Sequence, residues 1–411
     1  MRNPGLIRLD ERIPALDILR GLALLGILLY NVQGYAYPLL YVEQLGRRIF
    51  EVGVEGRILD IILFFVQGKF YTMFSFLFGY SFILWLGRAE ERYGRAGNIH
   101  FRRMLGLLGF GLIHALLFWW GDILVTYALC GMILYLFRNV SAKGLVKWAA
   151  GILAAYAGWF TLIYAVFMAS MPMDPAGWQA EAAAWKSELE AGVQRAIEAY
   201  GSGSWTELMA QRLADARLMA ESLPYSVMLV LPMFLLGAAA AKSGWLVRIS
   251  RGGRAARMEA AGLFAAGMAL TLLKEWGLAV MDPMLPSPAS IVYIIGSAFG
   301  DPVLSLSYTA AVAMFCGNPE RAARLSWFGC MGKLSLSNYL AESVISTTLF
   351  YSYGLGWYGK PVLGELLAIA AGVYLALMLA SRYWIARFGS GPAERLLRRI
   401  TYGRKRRHQT V

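Results

Sequence analysis

Residues 102–138 read RRMLGLLGFGLIHALLFWWGDILVTYALCGMILYLFR. An arginine pair opens the stretch and Arg138 closes it. Between them lie two apolar runs, 103–120 and 122–138, parted only at Gly121-Asp122. A hydrocarbon core of ~30 Å takes about 20 helical residues per crossing. The stretch therefore reads as a helical hairpin across a bilayer, with its basic ends on one side. The same ruler gives further crossings at 15–38, 57–86, 145–170, 223–242, 258–281, 289–317, 326–351 and 362–386. Two of these are long enough to be tilted or broken: 57–86, interrupted by Gln67-Gly68-Lys69, and 289–317, interrupted by Gly300-Asp301-Pro302. The expected fold is an all-α, polytopic membrane helix bundle of about ten transmembrane helices.

Composition agrees. Of 411 residues, 58% are hydrophobic and 16% charged, against ~45–50% and ~25% in soluble domains. A cytosolic enzyme, a disordered chain and a secreted disulfide scaffold are excluded. The net charge of +13 does not point to nucleic acid, because the basic residues cluster at the ends of apolar segments. Cys130, Cys316 and Cys330 form no metal-ligand spacing and no disulfide framework. The first apolar run carries Asp17 and Arg20 and lacks a small-residue cleavage site, so a retained span is expected.

Charge also orients the bundle. With the N-terminus inside, 27 of the 39 lysines and arginines fall in inner segments and eight in outer ones. This is the positive-inside pattern and places both termini in the cytoplasm of a plasma or inner membrane. The organisation is then 1–170 for the first five crossings, 171–222 for an outer insertion, 223–386 for the last five, and 387–411 for a basic tail suited to anionic lipid. The insertion has helical spacing at Ala182, Trp185, Leu189, Val193 and Ile197, so one or two amphipathic helices are expected there.

Polar residues inside a bilayer are costly and face a partner or a cavity. Asp17 and Arg20 share a helix face, and Asn31 lies about three turns farther on nearly the same face. His114 is the one histidine expected inside a span; His100 and His408 fall in a loop and in the tail. Asp122 can cap the following helix or meet His114 across the turn, and eight residues across a turn do not fix that distance. Ser335, Asn338, Glu342 and Ser346 form one polar face. Lys69 and Lys274-Glu275 can sit at an interface and snorkel. For each group the structural alternative is an ion pair or hydrogen bond that joins helices. No P-loop, GxSxG, HExxH or CxxC occurs.

Several motifs in order resemble one family. They are LDILRGLALLGILLYN (16–31), GKFYTMFSFLFG (68–79), the hairpin at 102–131, GKLSLSNYLAES (332–343) and GPAERLLRRITYG (391–403). Together they resemble the YeiB-type membrane proteins, whose C-terminal half carries the domain of unknown function numbered 418. The resemblance spans nearly the whole chain except the insertion. That family is distantly similar to transmembrane acyltransferases, including heparan-glucosaminide N-acetyltransferase. The resemblance implies transfer of an acyl group from cytoplasmic acyl-CoA, bound only as donor substrate, to a surface-glycan or lipid acceptor at the outer face. The relatives use a histidine, in many cases near the end of the first span, where this chain has Asn31. That leaves His114 as the local base or acyl carrier, with Asp122 beside it. Asp17, Arg20, Asn31, Lys69, Asn338 and Glu342 would line the cavity. Two other readings stay open: a proton-coupled transporter of a small molecule or lipid, and a lipid-binding scaffold. Neither metal nor nucleic acid is expected, and a homo-oligomer is compatible with the sequence.

Overall fold

The computed structural model describes residues 14–50, 53–94 and 96–403. The ends of the basic tail and of the N-terminal segment fall outside the described residues. Every regular element among these residues is helical. The first half runs α1 (Pro14–Ala36), α2 (Leu39–Gln44), α3 (Gly53–Val66), α4 (Lys69–Tyr93), α5 (Gly97–Leu117), α6 (Leu124–Leu134) and α7 (Ala142–Ser170). The insertion is α8 (Pro175–Gly201) and the first part of α9 (Trp205–Ser243), which continues unbroken into the bundle. Then follow α10 (Trp245–Ser250), α11 (Arg254–Val280), α12 (Pro288–Cys316), α13 (Pro319–Arg324), α14 (Ser326–Lys333), α15 (Ser335–Phe350), α16 (Leu363–Phe388) and α17 (Pro392–Tyr402).

Seven of these segments are long and apolar enough to cross a membrane: α1, α3–α4, α7, α9, α11, α12 and α16. The protein is an all-α membrane bundle. A path of ten crossings is compatible with it, with α5, α6 and α14–α15 as the additional, less apolar or shorter passages. Large apolar side chains such as Ile113, Leu162, Leu272 and Leu379 stand exposed on α5, α7, α11 and α16. In water such a surface is a liability; against lipid tails it is ordinary.

The long crossings resolve differently, and one further crossing departs from expectation. The 57–86 crossing does break, at Gly68, which has φ +81° between α3 and α4. The 289–317 crossing does not: α12 is one helix with Pro302 inside it. Proline removes one backbone donor, and a 29-residue helix retains its other hydrogen bonds. The expected single helix over 326–351 is instead split at Leu334. Its second piece, α15, is capped from far along the chain. The Glu394 carboxylate accepts hydrogen bonds from the amides of Leu336 (2.9 Å) and Ser337 (3.2 Å) and from the Ser337 hydroxyl. A carboxylate at a helix N-terminus satisfies orphan donors and meets the positive end of the dipole.

Close packing depends on glycine where helices touch backbone to backbone. At the α4–α9 crossing, Gly79 faces the Phe234 carbonyl and Gly237 faces that of Phe76. Gly21 on α1 and Gly332 on α14 face each other's helices in the same way, against Phe328 and Asp17. At that end, α17 also closes on the bundle, with Arg102 donating to the Ile400 carbonyl (2.8 Å). Both described ends of the chain therefore lie together, and the insertion lies at the opposite end. There Ser352 donates its amide to the Tyr200 carbonyl (2.7 Å) and Gly359 donates to Ala36 (2.8 Å).

Candidate functional site

The hairpin turn between α5 and α6 brings three polar side chains into line. His114 stands near the end of α5, and its Nδ1 lies 2.8 Å from Asp122 Oδ2. The other Asp122 oxygen accepts the Val125 amide at 2.8 Å. Asp122 thus caps α6 and holds the imidazole at once, joining the two roles that the sequence left open. On the far side of the ring, Nε2 lies 2.8 Å from Ser343 Oγ on α15. Ser343 in turn lies 2.7 Å from the Tyr35 hydroxyl on α1. His114, Ser343 and Tyr35 are all buried.

The proton positions follow from the partners. A carboxylate only accepts, so Nδ1 carries the hydrogen. In the neutral imidazole Nε2 is then an acceptor, and Ser343 donates to it. Ser343 accepts from Tyr35. The chain Tyr35, Ser343, His114, Asp122 has the connectivity by which a histidine activates a hydroxyl and a carboxylate holds the histidine's tautomer.

Beside this chain runs a cavity of about 900 Å³. Its wall includes Asp17, Arg20 and Asn31 on α1, and Asp17 to Asn31 is about 21 Å of helix at 1.5 Å per residue. The cavity therefore extends along most of a membrane-spanning length. At the end where α1 starts and α17 packs it is edged by Arg20, Arg103, Lys333 and Glu394. Toward the insertion it is edged by Glu43, Asp122 and Arg217. Arg20 pairs with Asp17 at 2.9 Å and also reaches the Ser81 hydroxyl. Tyr339 lines the wall, with its ring 5.0 Å from that of His114. Its hydroxyl makes 3.4 Å contacts with Gly121 O and the Ile123 amide.

Comparison with known proteins places this architecture. A family described as "Protein of unknown function (DUF418)" matches residues 240–404. The uncharacterized protein YxaH of Bacillus subtilis is 34% identical over 414 residues, covering 96% of this chain and 95% of its own length. The chain belongs to the DUF418 family. The uncharacterized protein YeiB of Escherichia coli is 32% identical over 409 residues, covering 95% of this chain and 96% of its own. An uncharacterized 39.9 kDa protein of Bacillus acidopullulyticus is 41% identical over 137 residues, 33% of this chain and 37% of its own. No solved structure matches.

Within this DUF418 chain the expected site residues divide. Asp17, Arg20, Asn31 and Asp122 line this cavity together. His114 stands one layer behind its wall. Lys69, Asn338 and Glu342 lie in helix seams rather than on that wall. Lys69 is fully buried with Nζ 2.9 Å from Asp301 Oδ1, and Lys274 approaches the same carboxylate at 3.3 Å. Neither lysine snorkels, because Asp301 on α12 holds both. Asn338 donates to Ser381 Oγ at 2.9 Å and to the Met331 carbonyl at 3.1 Å. Glu342 is buried, with Oε1 lacking a hydrogen-bond partner among the described residues. His100, expected in a loop, is buried in α5, with Nε2 2.8 Å from the Gly131 carbonyl.

Ser343, Tyr35, Tyr339 and Asp301 were not singled out from the sequence as members of these groups. Ser343 follows Glu342 directly and sits just off the polar face of Ser335, Asn338, Glu342 and Ser346. Only its contact with a histidine 229 residues away marks it. Asp301 had a signal, as a carboxylate in an apolar run with two lysines in other runs.

Proposed function

We propose that this protein is an acyltransferase of a bacterial-type inner membrane, oriented with both termini in the cytoplasm as its basic end suggests. The observation that supports it best is the Asp122–His114–Ser343 chain beside a cavity that runs along most of α1. An acyl thioester, with acyl-CoA as donor, enters at the basic end, where Arg20, Arg103 and Lys333 meet its phosphates. Ser343 Oγ attacks the thioester carbonyl while its proton passes to His114 Nε2. The C–S bond breaks, and the thiolate leaves with that proton. The resulting Ser343 ester is attacked by an acceptor hydroxyl of a surface glycan or lipid, which gives its proton to Nε2 and restores Ser343. Asp122 keeps the imidazole in the required tautomer. Tyr339 must swing aside to open the path from the cavity.

The test uses purified full-length protein with a series of acyl-CoA donors, reading free thiol release and the mass of the peptide containing Ser343. Release by wild type, with an acyl adduct on Ser343, is expected. His114→Ala and Ser343→Ala should each lower the rate by on the order of 10²–10⁴-fold. Wild-type protein that neither binds nor cleaves any acyl thioester overturns the proposal.

A specific observation favours a second reading, proton-coupled transport. Two buried lysines share the single carboxylate of Asp301 beside the break at Gly68. Buried ionisable groups at broken helices also suit a carrier. Proton-driven uptake into proteoliposomes, lost in Asp301→Asn without any acyl product, would select it.

A further inference from the structure

The junction between the insertion and the bundle holds a group of donors that no acceptor among the described residues meets. Arg212, on α9, has 0% exposure. None of its Nε, Nη1 and Nη2 atoms has a hydrogen-bond partner among the described residues. The guanidinium lies 5.1 Å from the ring centroid of Tyr351 and 5.6 Å from that of Tyr200. Those two rings stack at 4.5 Å, and Tyr358 packs against both, at 5.3 and 5.7 Å. The hydroxyls of Tyr351 and Tyr358 are buried and equally without partner. Burial pushes the Tyr358 phenol well above its ordinary range, so it keeps its proton.

The nearby carboxylate does not resolve this. Asp215 already accepts from Tyr41 (2.6 Å), Tyr200 (2.6 Å) and Gln211 (2.8 Å). Arg212 attracts it at longer range but makes no hydrogen bond and no ion pair within 4 Å with it among the described residues. Stacking on aromatic faces offsets part of the cost of burying a cation but satisfies none of its five N–H groups. A buried charge without hydrogen bonds is a large penalty that folding does not otherwise sustain.

We infer that Arg212, Tyr351 and Tyr358 form a binding site for one oxyanion group, a carboxylate or phosphate. The planar guanidinium matches the paired oxygens of such a group, and the two phenols supply further donors. The ring enclosure limits the ligand to a small free anion or the tip of a phospholipid headgroup. Occupancy would tie α8 and the 351–359 segment to α9, so the anion would govern how firmly the insertion is docked. The site is separate from the His114 chain and does not depend on acyl transfer.

The test is thermal unfolding of the purified full-length protein in neutral detergent. Sodium phosphate and sodium acetate are titrated against sodium chloride at matched ionic strength. A second arm uses nanodiscs of phosphatidylcholine with and without phosphatidylglycerol. A saturable rise in Tm with phosphate or acetate beyond that with chloride supports a free anion. A rise confined to the phosphatidylglycerol discs supports the headgroup. Arg212→Lys, which keeps the charge but loses the fork, should weaken the apparent affinity at least tenfold. Tyr351→Phe and Tyr358→Phe each remove one hydroxyl, leave the rings, and should weaken it severalfold. No specific rise in either arm, or the same affinity in all three variants, overturns the inference.

Discussion

His114 is held from both sides, and the two sides are separable. Asp122→Asn keeps the size of the side chain and its capping oxygen, so α6 should retain its start. It no longer enforces the tautomer in which Nε2 accepts. Acyl thioester cleavage should therefore fall by on the order of 10²-fold or more, while the unfolding temperature stays close to wild type. A variant that lost its fold in parallel with its activity would reduce Asp122 to a cap. Asp301 makes the opposite case, where charge decides stability. Removing it leaves two buried lysines uncompensated, at about 3–5 kcal/mol. Lys69→Met leaves one ion pair intact, Lys274 with Asp301. Thermal unfolding should rank Asp301→Ala well below Lys69→Met, and the reverse order would contradict the shared-carboxylate geometry. His114 and Asp122 were legible in the sequence because they interrupt an otherwise apolar hairpin. Ser343 was not, because serine is common in membrane helices and its meaning here comes from a distant partner.

At the scale of elements, glycine sets how near two helices come. A Cβ on Gly237 would meet the Phe76 carbonyl and lie 2.7 Å from the Tyr80 amide nitrogen, both backbone atoms that cannot step aside. One on Gly262 would meet nothing within 4 Å. Gly237→Ala should cost about 1–3 kcal/mol, and Gly262→Ala should be neutral or slightly stabilising. Equal effects in thermal unfolding would mean that α4 and α9 are not packed as described. Most helices were legible from apolar length and from basic ends, including the interruption at Gly68. Pro302 misled, since its missing donor is one bond in a long helix. The split at Leu334 was illegible for another reason: the cap that starts α15 is Glu394, far along the chain.

For the whole molecule, charge and termini point the same way. The insertion lies at one end of the bundle, and the start of α1 and the basic helix α17 lie at the other. In a cysteine-free background, Lys186→Cys on α8 should react with an impermeant thiol reagent in intact cells. Lys147→Cys on α7 should react only after permeabilisation, and labelling of both in intact cells would refute the orientation. The bundle was legible because it follows from composition summed over many residues. The cavity was not, because it is bounded by α1, α4, α5, α6, α9 and α15 together. One capping contact has a further meaning for biosynthesis. Glu394 lies 58 residues beyond Leu336, yet it caps the helix that bears Ser343 and Tyr339. Until α17 has been synthesised and packed against the bundle, α15 lacks this cap. The helix that carries Ser343 toward His114 is thus fastened at its start by a contact that forms only after α16 and α17 follow it.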